Sequence, residues 1–150
     1  MSTASPSSGF ERQLRLTAAE LSDFLDSAFP ASARPALGQV VSVELDHVRM
    51  SLEPSPETLR PGGIVSGPTL MGLADVAAYA VILAHIGPVG MAVTNNLNIT
   101  FLRACRRDAV IADARLLKLG RRLAAIDVRL WQDSEDRLVA QATVGYALPA

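Results

Sequence analysis

The chain has 150 residues, 49% of them hydrophobic, and a formal net charge of −1. That length predicts one domain able to bury a sizeable core without staples, and the near-zero charge excludes a broadly basic nucleic-acid binder. A single cysteine, Cys105, excludes an internal disulfide and fits a reducing, cytoplasmic setting.

The opening MSTASPSSGF lacks the basic and apolar regions of a secretory signal and offers nothing to bury. Residues 1–10 therefore read as a disordered tail, and residues 11–150 as the domain. Residues 17–30, TAAELSDFLDSAFP, predict a short amphipathic helix. Thr17 with Glu20 three residues on resembles a capping box. Leu21, Phe24, Leu25 and Phe29 form the apolar stripe, and Pro30 ends the helix. Residues 39–54 alternate as two short strands, with Asp46 and His47 at the turn. Residues 55–67, SPETLRPGGIVSG, carry Pro, Gly and Ser punctuation and read as a loop, long enough to suggest function.

Residues 70–85, LMGLADVAAYAVILAH, predict the body of a central helix that starts near Gly67 and Pro68 and stops at Gly87 and Pro88. It is apolar nearly all round, so other elements should cover it. Its longest uninterrupted apolar run, residues 76–84, is far short of the roughly 20 residues that cross a bilayer, which predicts a buried helix and no membrane partner. Between Leu70 and Ala84, Asp75 is the only charged residue. A charge held away from water is costly unless it is paired or functional, which makes Asp75 the first candidate for chemistry.

The second half reads as four strands, over residues 89–104, 109–120, 121–133 and 137–149. Alternation is clearest where Ile126, Val128 and Leu130 interleave with Ala125, Asp127 and Arg129. The joints are short and polar, which implies antiparallel neighbours. The expected fold class is α+β: a curved antiparallel sheet of about six strands wrapped around one long central helix, with a short N-terminal helix.

Three stretches, in this order and spacing, carry a resemblance: GGIVSGPTLMGLADVAAYA (62–80), AVTNNLNITFLRA (92–104) and KLGRRLAAIDVRLWQDSEDRLVAQATVGYAL (118–148). Over residues 38–148 the chain resembles the hotdog-fold acyl-CoA thioesterases, in particular the phenylacetate-degradation branch. That resemblance implies the hotdog fold, thioester hydrolysis, Asp75 as general base or nucleophile, and the Gly67 N–H as donor to the thioester oxygen. It also aligns Thr94 with a hydroxyl near the acidic residue or its water. The family often shows His-Gly-Gly at the start of the helix. Here the same spacing gives Ser66, Gly67 and Pro68, so the backbone part of that motif is retained and the imidazole is not.

The chemistry fits these residue types. A thioester carbonyl needs stabilisation as charge develops on its oxygen, and a helix N-terminus supplies free N–H groups. Glycine lets substrate approach the backbone. A carboxylate can activate water or attack directly. Asp75 is eight residues beyond Gly67, about 12 Å along one helix. One carboxylate cannot span that gap to a single carbonyl, so Gly67 of one subunit is expected to meet Asp75 of the other. The expected assembly is a homodimer with two equivalent sites, or a dimer of such dimers.

Further candidates are Arg60 and Ser66, lining the acyl pocket from the loop, and the amides of Asn95 and Asn96. Strand alternation would put Thr94 and Asn96 on one face and Asn95 on the other. Arg106 and Arg107, with Lys118, Arg121 and Arg122, fall at strand ends, where arginines suit the phosphates of coenzyme A. His85, where a cation suits the helix dipole, His47 and Tyr79 read as structural. Cys105 has no partner motif for a nucleophile. No metal-ligand spacing is present, and no cofactor is expected beyond coenzyme A as part of the substrate. Two alternatives stand beside hydrolysis: a non-catalytic acyl-CoA-binding protein, and a hotdog hydratase, which would want an Asp/His pair.

Overall fold

A computed structural model describes residues 12–150. The tail assigned to residues 1–10 lies outside the described residues. Helix α1 (Ala18–Ala28) begins at the expected capping box: Glu20 N–H donates to Thr17 Oγ1 at 3.2 Å, and Thr17 N–H donates to Glu20 Oε1 at 3.0 Å. Leu21 and Leu25 from its stripe are fully buried. Strands β1 (Gln39–Glu44) and β2 (His47–Leu52) form a hairpin. The turn falls on Leu45 and Asp46, not on Asp46 and His47, and Asp46 takes the left-handed conformation (φ 60°) that a short polar side chain tolerates.

Residues 55–67 are more ordered than their composition suggests. A 3-10 turn (Pro56–Thr58) leads into a small hairpin of β3 (Leu59–Arg60) and β4 (Ile64–Val65). Gly62 and Gly63, both at positive φ, make its turn. Helix α2 (Gly67–Ile86) follows, then β5 (Val93–Phe101), β6 (Val110–Leu119), β7 (Leu123–Trp131) and β8 (Leu138–Ala147). Strand β5 starts four residues later than alternation alone predicts, because Gly87, Pro88 and Gly90 hold residues 87–92 outside the ladder.

Six strands form one antiparallel sheet in the order β1-β2-β6-β7-β8-β5. Period-two burial sets one face inward. Val48, Met50 and Leu52 of β2, Ile126, Val128 and Leu130 of β7, and Ala140, Ala142 and Val144 of β8 are all buried. Small alanines on β6 and β8 let α2 approach the sheet, and it packs on β2, β5, β6, β7 and β8. By length and composition α2 could cross a membrane, but 72% of its most apolar window is buried within the protein. Burial of each large aliphatic side chain contributes roughly 1.5–3 kcal/mol, so this helix–sheet layer is the main source of stability. This is the expected α+β fold, a curved sheet around one helix.

His85 closes the far end of α2. Its Nδ1 donates to Val81 O at 2.7 Å and its Nε2 accepts from the Asp46 N–H at 2.9 Å. The ring therefore clamps the end of the helix to the hairpin turn, a structural role.

Candidate active site

Asp75 sits in the middle of α2, half-buried, where β5 and β8 pass beneath the helix. Its Oδ1 accepts two hydroxyls: Thr94 Oγ1 at 2.6 Å and Tyr146 Oη at 2.9 Å. Both donors address the same oxygen, and Oδ2 accepts from none of the described residues. The strand register explains the convergence. Thr94 on β5 and Tyr146 on β8 are direct cross-strand partners, so their side chains leave the sheet side by side.

A bulge at Asn95 completes the arrangement. The pairing steps from Thr94↔Tyr146 to Asn96↔Gly145, with Asn95 as the extra residue. Alternation therefore breaks there. Thr94, Leu97 and Ile99 turn toward the interior, while Asn95 and Asn96 are both exposed. The expectation that Asn96 shares a face with Thr94 is corrected by this bulge. Gly145 lies beneath it, and a Cβ at that position would come within 2.7 Å of Asn95 Oδ1, so the exposed amide would have to swing aside.

Tyr146 is the site residue that sequence reasoning missed. Its signal was the inward run Ala140, Ala142, Val144, Tyr146, which ends in a buried phenol that needs a partner. Burial pushes its hydroxyl well above the ordinary phenol range, and the nearby Asp75 charge adds to that. It therefore remains a donor. Its ring stacks on Tyr79 (centroids 6.1 Å apart, 16° between planes), and Phe29, the C-cap of α1, meets Tyr79 edge-on at 6.1 Å. Burial also raises the Tyr79 phenol, whose Oη lies 3.4 Å from Gly90 O.

Asp75, Thr94 and Tyr146 open into a cavity of ≈ 920 Å³ between α1, α2 and residues 90–94. Phe24, Phe29, Leu37, Val76 and Met91 give it apolar walls, and Gly72 faces open space within it. The polar groups at Asp75 thus meet an apolar chamber at one end, the composition expected of a site for an apolar group attached to a reactive carbonyl.

Gly67 is the first residue of α2, so no carbonyl lies one turn back to accept its N–H. A Cβ there would lie 3.3 Å from Phe101 Cζ and press on that ring. Ser66 is the N-cap: its Oγ accepts from Thr69 N–H at 3.3 Å and pairs with Thr69 Oγ1 at 2.7 Å. Neither Ser66 nor Gly67 lines the Asp75 cavity of the same chain. Arg60 lies exposed on β3, its Nε donating to Pro61 O at 3.3 Å, also outside that cavity.

The two cationic clusters fall at opposite ends of β6, roughly 30 Å apart at the rise of a strand. They do not share one rim within a subunit. Arg106 is already engaged by Asp133 at 3.0 Å and Asp108 at 3.2 Å, and those hydrogen bonds raise its pKa. Arg107 and Lys118 are exposed, and Arg121 and Arg122 occupy the turn between β6 and β7. Burial pushes the Cys105 thiol up to about 11, which keeps it protonated at neutral pH and in line with its reading as non-nucleophilic.

Residues 62–144 match the family described as the thioesterase superfamily. A crystal structure of a candidate thioesterase from a Silicibacter species is 36% identical, covers 93% of this chain and 96% of its own, and superposes with a TM-score of 0.83. A Ralstonia eutropha protein described as phenylacetic acid degradation-related is 26% identical, with 83% and 98% covered and a TM-score of 0.73. A Streptococcus mutans protein crystallised with acetyl-CoA shares the fold at 23% identity, with 74% and 87% covered and a TM-score of 0.65. Among curated proteins none matches. The chain belongs to the thioesterase superfamily, with the hotdog fold, and its class of activity is thioester hydrolysis.

Proposed function

We propose that the protein hydrolyses acyl-CoA thioesters at two equivalent sites of a homodimer, releasing a carboxylic acid and free coenzyme A. The observation that carries this reading is the asymmetric carboxylate of Asp75. One oxygen is held by two hydroxyls, the other accepts from none of the described residues, and the residue lines an apolar chamber that would take the acyl group. In this reading Thr94 and Tyr146 fix the rotamer, and Oδ2 either takes a proton from water or attacks the carbonyl. The oxyanion forms against the N–H of Gly67 of the partner subunit, supported by the dipole of that α2.

Two features support the dimer. Gly67 and Asp75 are eight residues apart on one straight helix, about 12 Å. The sheet ends in β5, an edge strand whose Val93 and Phe101 are half exposed, which suits addition of a second copy. The acetyl-CoA found with the Streptococcus mutans relative supports a CoA thioester as the ligand class.

The test is turnover of a panel of alkanoyl- and arylacyl-CoA esters, followed by free thiol release, for the wild type and Asp75→Asn. Turnover by the wild type that falls at least a hundredfold in a folded variant supports the reading. Binding of the esters without turnover by either protein would replace hydrolysis with carriage.

A further inference from the structure

The chamber at Asp75 lies in a gap between two helices. Along α2, Gly72, Val76 and Tyr79 line it in one stripe with Asp75, roughly 10 Å long. Opposite stand Phe24 and Ala28, one turn apart on α1, with Ser27 beside them. Leu21 and Leu25, the other face of α1, are buried in the core. Ser27, Ala28 and Gly72 are small, and a Cβ on Gly72 would meet nothing within 4 Å. Phe24 is therefore the one large side chain that α1 contributes to the wall, and it is only half-buried.

A buried charge fastens this wall. Arg34, in the 3-10 turn Arg34–Leu37 that follows α1, is only 6% exposed. Its Nε donates to Asp26 Oδ1 at 2.9 Å, and its Nη1 donates to Gly38 O. Its Nη2 is buried with no hydrogen-bond partner among the described residues. Burying a guanidinium with one nitrogen unpaired is costly, so stability alone does not account for it. What it does is tie the last turn of α1, at Asp26, to Gly38 at the start of β1. Gly38 takes φ +84° and lies against α2, where an added Cβ would come within 2.8 Å of Leu73 Cδ1. Leu37, at the end of the same turn, lines the chamber. The end of α1 is thereby anchored against α2, and Phe24, two residues before Asp26, is fixed across the gap.

We propose that Phe24 sets which acyl groups this protein accepts, and that Arg34 is the positioning residue that holds Phe24 at its distance from Asp75. The substrate class is an apolar acyl group long enough to run from Asp75 along Val76 and Tyr79 to the Phe24 ring, a class that rests on the proposed acyl-CoA hydrolysis. A short acyl group leaves that ring half exposed and forfeits the free energy of covering it. The far end of the acyl group is thus read by α1, while its carbonyl end is held at Asp75.

The probes are alkyl-CoA thioethers, which carry no carbonyl and are not hydrolysed, so binding is read without turnover. Ethyl-, hexyl-, decyl- and tetradecyl-CoA are titrated calorimetrically into the full chain. Wild-type affinity should rise with chain length, by up to roughly fourfold for each methylene buried, and stop rising once the chamber is filled. Phe24→Ala should move that limit to a longer chain, and Phe24→Trp should move it to a shorter one. Asp26→Ala removes the partner of Arg34 from an exposed position and leaves the core intact. It should lower the ratio of decyl to ethyl affinity about tenfold, the worth of one covered aromatic ring, and Asp26→Glu should restore most of that ratio. A length dependence that is absent in the wild type, or the same in wild type and both Phe24 variants, overturns the proposal and leaves the acyl-CoA reading standing. No binding of any thioether also overturns it, while turnover of the esters decides the hydrolysis reading separately.

Discussion

The carboxylates of Asp75 and Asp113 have surroundings that differ in a way that separates chemistry from structure. Asp113, on the outer face of β6, is almost fully enclosed. Its Oδ1 accepts from His47 Nε2 at 2.7 Å and Arg49 Nε at 2.8 Å. Its Oδ2 accepts from Trp131 Nε1 at 2.7 Å and Arg49 Nη2 at 3.2 Å. The Arg49 guanidinium also lies over the Trp131 ring, 5.3 Å from its centroid. Burial opposes ionisation of Asp113, but the hydrogen bonds from Arg49, Trp131 and His47 outweigh it and hold the carboxyl below its ordinary range. Asp75 has two donors on one oxygen and none of the described residues on the other. A saturated carboxylate has no lone pair to offer a substrate, whereas a half-satisfied one beside a cavity does. Asp113 is buried and saturated with donors, whereas Asp75 is half-buried and keeps one oxygen without a donor among the described residues.

Substitution of each should break the comparison in opposite ways. Asp75→Asn is expected to lower kcat by about 10²–10⁴-fold with little change in thermal midpoint, measured by thiol release beside circular dichroism. Asp113→Asn is expected to do the reverse. It should cost roughly 2–4 kcal/mol in urea unfolding, because a saturated buried pair loses its charge, while activity per folded molecule stays close to wild type. Tyr146→Phe comes next in size. The ring still stacks on Tyr79, one donor to Asp75 is lost, and kcat should fall about tenfold with KM nearly unchanged. Thr94→Val should act in the same way, and Thr94→Ser should restore most of the rate. Equal losses in kcat and stability for Tyr146→Phe would make the phenol a packing residue only.

The pH dependence sharpens the same contrast. The folded-state pKa of Asp113 lies below its unfolded value of about 3.9. The native state therefore releases this proton more readily, and the resulting stability is fully present above about pH 4–5 and is lost as pH falls through the folded pKa. Urea midpoints of wild type and Asp113→Asn should converge as pH drops from 5 to 2. The smallest effect is expected at Gly72. An added methyl meets nothing within 4 Å, and alanine is the better helix former, so Gly72→Ala should stabilise by up to about 1 kcal/mol. It should also trim the chamber enough to lower kcat/KM for the bulkiest acyl esters first.

Much of this was legible in the residues because local chemistry and global fold agree. The Thr17/Glu20 box, the all-apolar helix interrupted by Asp75, and the alternation around Ile126 to Leu130 each dictate an element with little competition. What escaped depends on register. The Asn95 bulge reverses the face of Asn96, and nothing in the dipeptide Asn95-Asn96 marks which residue will be the extra one. Tyr146 is placed at Asp75 by pairing with Thr94 across some fifty residues of chain, a relation that neither segment contains alone. The separation of the two arginine clusters likewise follows from the length of β6.

The central claim is that each reaction centre takes Asp75 from one subunit and Gly67 from the other, and mixed dimers test it most directly. Asp75→Asn removes the carboxylate. Gly67→Pro removes the N–H at a first helical position that tolerates proline. Each variant alone should be inactive. Unfolded together and refolded as an equimolar mixture, half the dimers are hybrids, and each hybrid rebuilds one intact centre from the two undamaged halves. The account predicts recovery of about one quarter of wild-type activity. A mixture as inactive as its components, with hybrid dimers shown to have formed, would place both groups in the same subunit's site and contradict it.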